Sequence, residues 1–115
     1  MFTNMGSFWN SMDYLYRPVS YTPSRTAVDS DGKVRLIMTH QDPGYANWLD
    51  TQGFSEGYVT TRIAHSRTPL AIDTKLVKAR ELADHLPRDS KRVTAEQRAR
   101  EMRKRFDAIR RRYRI

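Results

Sequence analysis

Lys33 to His40 alternates in character, with Val34, Leu36, Met38 and His40 on one face and Lys33, Arg35, Ile37 and Thr39 on the other. A two-residue period of this kind marks a half-buried strand. Tyr58 to His65 is rich in β-formers and sets Val59, Thr61 and Ile63 on one side, and Leu70 to Val77 alternates again through Leu70, Ile72, Thr74 and Leu76. Each of these three stretches predicts a strand. Helical spacing then takes over. Ala79, Leu82, Ala83 and Leu86 share one face, so a short helix is predicted over 78–86, stopped by Pro87. Apolar residues next recur at Ala95, Ala99, Met102, Phe106, Ile109 and Tyr113, in steps of 4, 3, 4, 3 and 4. This single stripe predicts a long amphipathic helix. Thr94 and Gln97 stand at the spacing of a capping box. Glu96–Arg100, Glu101–Arg105 and Asp107–Arg111 are acid-to-base pairs four residues apart.

Turn signals separate these elements. Asp29-Ser30-Asp31-Gly32 precedes the first strand. Asp42-Pro43-Gly44 follows it, with Pro and Gly at the two central positions of a tight turn. Tyr45 to Phe54 reads as a polar-aromatic loop anchored by Trp48 and Leu49. The start of the chain carries Phe8, Trp9, Tyr14, Tyr16 and Tyr21, but Pro18 and Pro23 forbid a long helix across it. The expected fold is mainly β: a small antiparallel sandwich or partial jelly roll with a short helix and a basic C-terminal α-helix. Residues 1–93 would form the β domain with its aromatic N-terminal segment. Residues 94–115 would form the basic amphipathic helix, packed on that domain or on a partner by Met102, Phe106 and Ile109, with Arg103, Arg110 and Arg111 in water.

Charge sharpens the division. Residues 1–86 hold 9 Lys/Arg and 9 Asp/Glu, whereas residues 87–115 hold 12 Lys/Arg and 4 Asp/Glu, so the whole net charge of +8 sits in the last quarter of the 115-residue chain. A basic helix on a neutral body is a candidate polyanion contact, through Arg103, Arg105, Arg110, Arg111, Arg112 and Arg114. Cysteine is absent, which excludes a disulfide framework and a thiol nucleophile. No apolar run approaches the ~20 residues needed to span a bilayer, and Met1 to Asn10 has no signal-peptide pattern. A cytoplasmic chain without membrane contact is expected.

The most suggestive chemical cluster is Asp42, Asn47, Trp48, Asp50 and Thr51, two carboxylates, an amide, an indole and a hydroxyl in one loop. Such a set can line a polar small-molecule pocket. The same residue types also serve as turn, cap and core residues. His40 and His65 invite a metal reading, but strands 33–40 and 58–65 paired antiparallel would hold them on the order of 24 Å apart, at ~3.4 Å per residue. No metal and no cofactor is expected. His85 reads as a helix-end residue. No glycine-rich phosphate loop, Gly-x-Ser-x-Gly elbow or His-Glu-x-x-His motif occurs.

Four stretches carry a family resemblance. They are Met12 to Arg17 with Ser24-Arg25-Thr26; Gln41 to Gly53, containing D-P-G-x-x-N-W-L-D-T; Glu56 to Val59; and His85-Leu86-Pro87 before Val93 to Arg98. In order and spacing the chain resembles the bacterial domain-of-unknown-function family numbered twelve-fourteen, over roughly residues 10–115. The resemblance implies a jelly-roll-like β-sandwich that usually forms the C-terminal part of a longer chain. It thus implies either a truncated relative or a subunit whose partner supplies the rest, and it carries over no catalytic set. The expected function is an accessory or small subunit of a β-sandwich assembly, contributing to a small-molecule pocket, as a homo-oligomer or with a larger β-rich chain. The alternatives are nucleic-acid binding through the Arg-rich helix, and an enzyme on the family scaffold using Asp42, Asp50 or His40 as acid or base.

Overall fold

The computed structural model describes residues 2–7 and 10–114. Phe8 and Trp9, expected to open the aromatic segment, lie outside the described residues. Strand β1 (Phe2–Ser7) is the centre of the larger sheet. It pairs antiparallel with β2 (Asn10–Ser11) and β3 (Ser20–Tyr21), and along Phe2 to Gly6 with β6 (Tyr58–Arg62). Gly6 makes this close packing possible: a Cβ there would meet the Asn10 carbonyl oxygen at 2.8 Å and the Tyr58 ring at 2.5 Å.

The second sheet is a parallel pair, β4 (Ile37–Thr39) beside β5 (Trp48–Asp50), in register Ile37–Trp48, Met38–Leu49 and Thr39–Asp50. The connection between them, residues 40–47, needs left-handed backbone at Gly44 (φ 73°) and at Asn47 (φ 61°). Glycine adopts it freely and asparagine tolerates it. All three β5 residues are buried, and Leu49 joins Met12, Val19 and Tyr21 in the core, with Leu36 packed against them.

The expected mainly β sandwich or partial jelly roll is not formed. The described strands are two to six residues long, one of the two sheets is a parallel pair of three-residue strands, and the longest element is a helix. Alternation describes side chains, but a strand also needs a partner edge. Within 33–40 only Ile37–Thr39 finds one, and it is not the 58–65 segment. Ile37 faces inward and Met38 outward. Its partner β5 lies in the stretch read as a loop. A strand buried on both faces shows no alternation. Leu70 to Val77 forms no strand at all.

The predicted short helix is a 3₁₀ helix, Ala79–His85. It has no side-chain cap on its first turn.

The terminal helix α1 (Ala95–Tyr113) starts where expected. The Gln97 N–H donates to Thr94 Oγ1 at 3.1 Å, and the Thr94 N–H donates to Gln97 Oε1 at 2.8 Å. Its docked face differs from the apolar stripe. Arg98 and Ile109 are buried and Met102 and Arg105 half-buried, whereas Phe106 is 44% exposed and Tyr113 is exposed. The helix is therefore turned by about 50° from the stripe, at 100° per residue. None of the three expected i, i+4 ion pairs closes among the described residues: Glu101 pairs with Arg98, and Arg105 turns to backbone carbonyls. Arg103, Arg110 and Arg111 are exposed, as expected.

Phe106 packs its ring 5.7 Å from that of Tyr16, at the surface. Phe106→Ala is therefore expected to cost about 1 kcal/mol, the scale of an exposed aromatic pair, rather than the ~3–5 of a fully buried ring. A urea titration measures it; a loss above about 3 kcal/mol would place the ring in the core.

Candidate functional site

The five loop residues singled out in the sequence lie on β5 and its approach, and each is bonded within the chain. Asn47 spans three segments: its Oδ1 accepts the Ala27 N–H at 2.8 Å, and its Nδ2 donates to the carbonyls of Ala27 at 2.8 Å and Arg35 at 3.1 Å. The Trp48 indole donates to the Thr39 carbonyl at 3.2 Å, and the Tyr21 hydroxyl donates to the Trp48 carbonyl at 2.7 Å. Burial raises the Tyr21 hydroxyl above the ordinary tyrosine range. Asp50 accepts the Gln52 N–H at 2.8 Å and a 2.9 Å salt bridge from Arg17. Thr51 Oγ1 meets His40 Nδ1, and its N–H donates to the Thr39 carbonyl at 3.3 Å. These bonds join β4, β5 and the chain before β3 into one unit. Around Asn47 the free space is only about 10 Å³, at the lower limit of what one bound water needs.

Asp42 leads to a residue that the sequence reading did not single out. Its Oδ1 accepts the Gly44 N–H at 2.9 Å, closing the turn, and both its oxygens face Arg98 of α1. Arg98 Nε donates to Asp42 Oδ2 at 2.8 Å, Nη1 to Glu101 Oε2 at 3.0 Å, and Nη2 to the Tyr45 carbonyl at 2.6 Å. Its guanidinium also lies 5.4 Å from the centre of the Trp48 ring. The side chain is 9% exposed. Burial alone would raise the Asp42 carboxyl, but the Arg98 and Gly44 donors outweigh it and hold it below the ordinary carboxylate range. Burial would likewise lower Arg98, and Asp42 reverses the sign. Nearby, the Val93 N–H donates to the Gly44 carbonyl at 2.9 Å and the Ala46 N–H to the Lys91 carbonyl at 3.0 Å. The loop, the approach to α1 and its first turn thus form one joint. The available signal was the spacing of Arg98, Met102, Arg105 and Ile109, a helical stripe as regular as the apolar one.

Of the six candidate arginines, Arg105 and Arg112 line a groove between α1 and the segment 11–20; Arg105 is half-buried and the other five are exposed. His40 and His65 stand on unrelated segments, and among the described residues no three His, Asp or Glu side chains gather to hold a metal ion. No helix of the described residues is long and apolar enough to cross a membrane.

The remaining feature is an arm. Residues 63–78 contain neither helix nor strand, and all but Val77 are exposed. Leu76 has no side-chain cover, and Ile72 and Leu70 are more than and nearly half exposed. Among the described residues, the backbone of 69–77 makes no hydrogen bond. No family model matches this chain, and neither a curated protein nor a solved structure matches it.

Proposed function

We propose that this chain is a non-catalytic subunit of a larger assembly, joined to its neighbour by strand addition through residues 69–77. The observation that carries the proposal is the arm. Nine consecutive residues leave their backbone groups unbonded within the described chain while exposing Leu70, Ile72 and Leu76, which stand at alternating positions of the sequence. Backbone donors and acceptors in proteins are nearly always paired or hydrated, and an extended segment of this pattern satisfies both needs at once by adding to a sheet edge. Backbone bonds would fix the register, and the apolar face would be covered. The neighbour is a second copy or a larger β-rich chain. Kinship with the family that Gln41 to Gly53 resembles is kept as part of the proposal for its motif alone. A cytoplasmic location belongs to it too, resting on polar composition.

The test is sedimentation of the native protein beside a Leu70→Asp, Ile72→Asp, Leu76→Asp variant. The variant is expected to weaken association at least about tenfold, one apolar anchor alone being worth that much, with the helical circular dichroism unchanged. Association should differ little between low and moderate salt, because apolar burial carries it. A variant that associates as well as the parent contradicts the proposal.

A second reading, polyanion binding, is favoured by one observation: Arg103 and Arg111 on α1 and Arg114 at its C-cap are exposed with no carboxylate partner among the described residues. It requires affinity for nucleic acid that falls by orders of magnitude over the same salt range.

A further inference from the structure

A groove of about 450 Å³ runs between the last turns of α1 and the segment 11–20. That size suits a small ligand. Leu15, Ala108 and Ile109 supply apolar wall and Arg105 and Arg112 supply charge; Ser11, Ser20, Tyr14 and Tyr113, each carrying a hydroxyl, complete the lining. Among the described residues these four hydroxyls make no hydrogen bond within the chain.

The charge balance of this groove is unlike that of the Arg98 joint. Arg98 meets two carboxylates. Arg105 meets none among the described residues: its Nε donates to the Leu15 carbonyl at 2.6 Å and its Nη2 to the Tyr14 carbonyl, leaving Nη1 without a partner. Asp13, the carboxylate whose charge acts on Arg105, accepts the Tyr16 N–H. Arg112 lies near the Tyr113 ring and also lacks a carboxylate among the described residues. A half-buried cation satisfied only by neutral carbonyls favours an anion beside it. The lowered affinity of Arg105 for its proton, caused first by burial and then by the charge of Arg25, agrees.

We propose that this groove is a binding site for a small soluble phosphate monoester bearing an aromatic or aliphatic group, its oxygens held by Arg105, Arg112 and the surrounding hydroxyls and its apolar part against Leu15 and Ile109. Guanidinium and hydroxyl donors suit a tetrahedral dianion. The apolar wall distinguishes an ester from the free ion. The site is separate from the arm and stands or falls independently of the assembly proposal.

Isothermal titration with phenyl phosphate, inorganic phosphate, phenol and a mixed-sequence oligonucleotide tests it. Phenyl phosphate is expected to bind about tenfold or more tightly than inorganic phosphate, the worth of burying one ring on apolar wall, and phenol not measurably. Arg112→Gln and Arg105→Lys should each weaken phenyl phosphate about tenfold, the loss of one charge-assisted contact. Arg100→Gln, on the far side of α1, should leave it unchanged. Arg105 also ties α1 to residues 14–15, so the Arg112→Gln protein, checked by its circular dichroism, decides if Arg105→Lys fails to fold. Equal binding of the ester and the free ion, full binding by Arg112→Gln, or an oligonucleotide that displaces the ester and is weakened as much by Arg100→Gln would each overturn the assignment.

Discussion

Arg98→Ala is expected to cost about 3 kcal/mol of stability, the low end of the ~3–5 typical when one member of a buried ion pair is removed. The low end applies because Asp42 keeps 31% of its side-chain surface in water and can rehydrate. The loss combines an orphaned Tyr45 carbonyl, an unpaired Asp42 and a vacant site above Trp48. Denaturant unfolding followed by the α1 signal measures it. Arg98→Met with Asp42→Asn should recover part of the loss, since it removes both charges and keeps the packing. The same joint sets an acid limit. Asp42 has a folded-state affinity for protons below its unfolded one, so its contribution is fully present above about pH 4 and disappears as the pH falls through the lower folded value. Asp42→Asn should flatten this part of the acid-unfolding curve. A parent and variant with the same acid limb would show that the pair contributes nothing to stability.

Leu49→Ala is expected to be about as damaging, at roughly 2–5 kcal/mol. Leu49 has no exposed surface and packs among Met12, Val19 and Tyr21, so its truncation leaves a cavity shared by both sheets. Domains of this size have about 5–15 kcal/mol in total. The variant should therefore melt many degrees lower, as calorimetry would record. A change below about 1 kcal/mol would mean that β5 is not the core strand.

These two residues also show what the sequence could and could not disclose. Thr94 and Gln97 marked the start of α1 because a capping box is local: both partners lie within four residues. Asp42-Pro43-Gly44 was legible as a turn for the same reason. Leu49 was visible as an anchor, but its strand was hidden, because β5 is buried on both faces and carries no alternation. Leu70 to Val77 has the alternation and no partner strand, so the pattern alone over-predicted the sheet. The orientation of α1 was decided by Arg98 and Arg105, whose partners Asp42 and Leu15 are 56 and 90 positions away. Hydropathy counts a guanidinium as a surface group, and only the tertiary structure supplies the carboxylate and carbonyls that bring it inside. Among the candidate site residues, Asp42, Asn47, Trp48, Asp50 and Thr51 were recognisable as a group, but their chemistry could be read either as a pocket or as loop bonding. Each of the five makes such bonds within the chain. The placement of the six arginines depends on which face of α1 docks, which the stripe misplaced by about 50°.

The claim that the arm exists to join a neighbour is tested most directly by amide hydrogen exchange over residues 69–77, on the gently purified native protein and on the same protein diluted until it sediments as a single chain. The account predicts that these amides exchange at near-unprotected rates in the dilute single chain and are strongly protected in the assembly, while those of α1 are protected in both. Amides already protected in the single chain, or an arm that stays unprotected in an assembly, would contradict it.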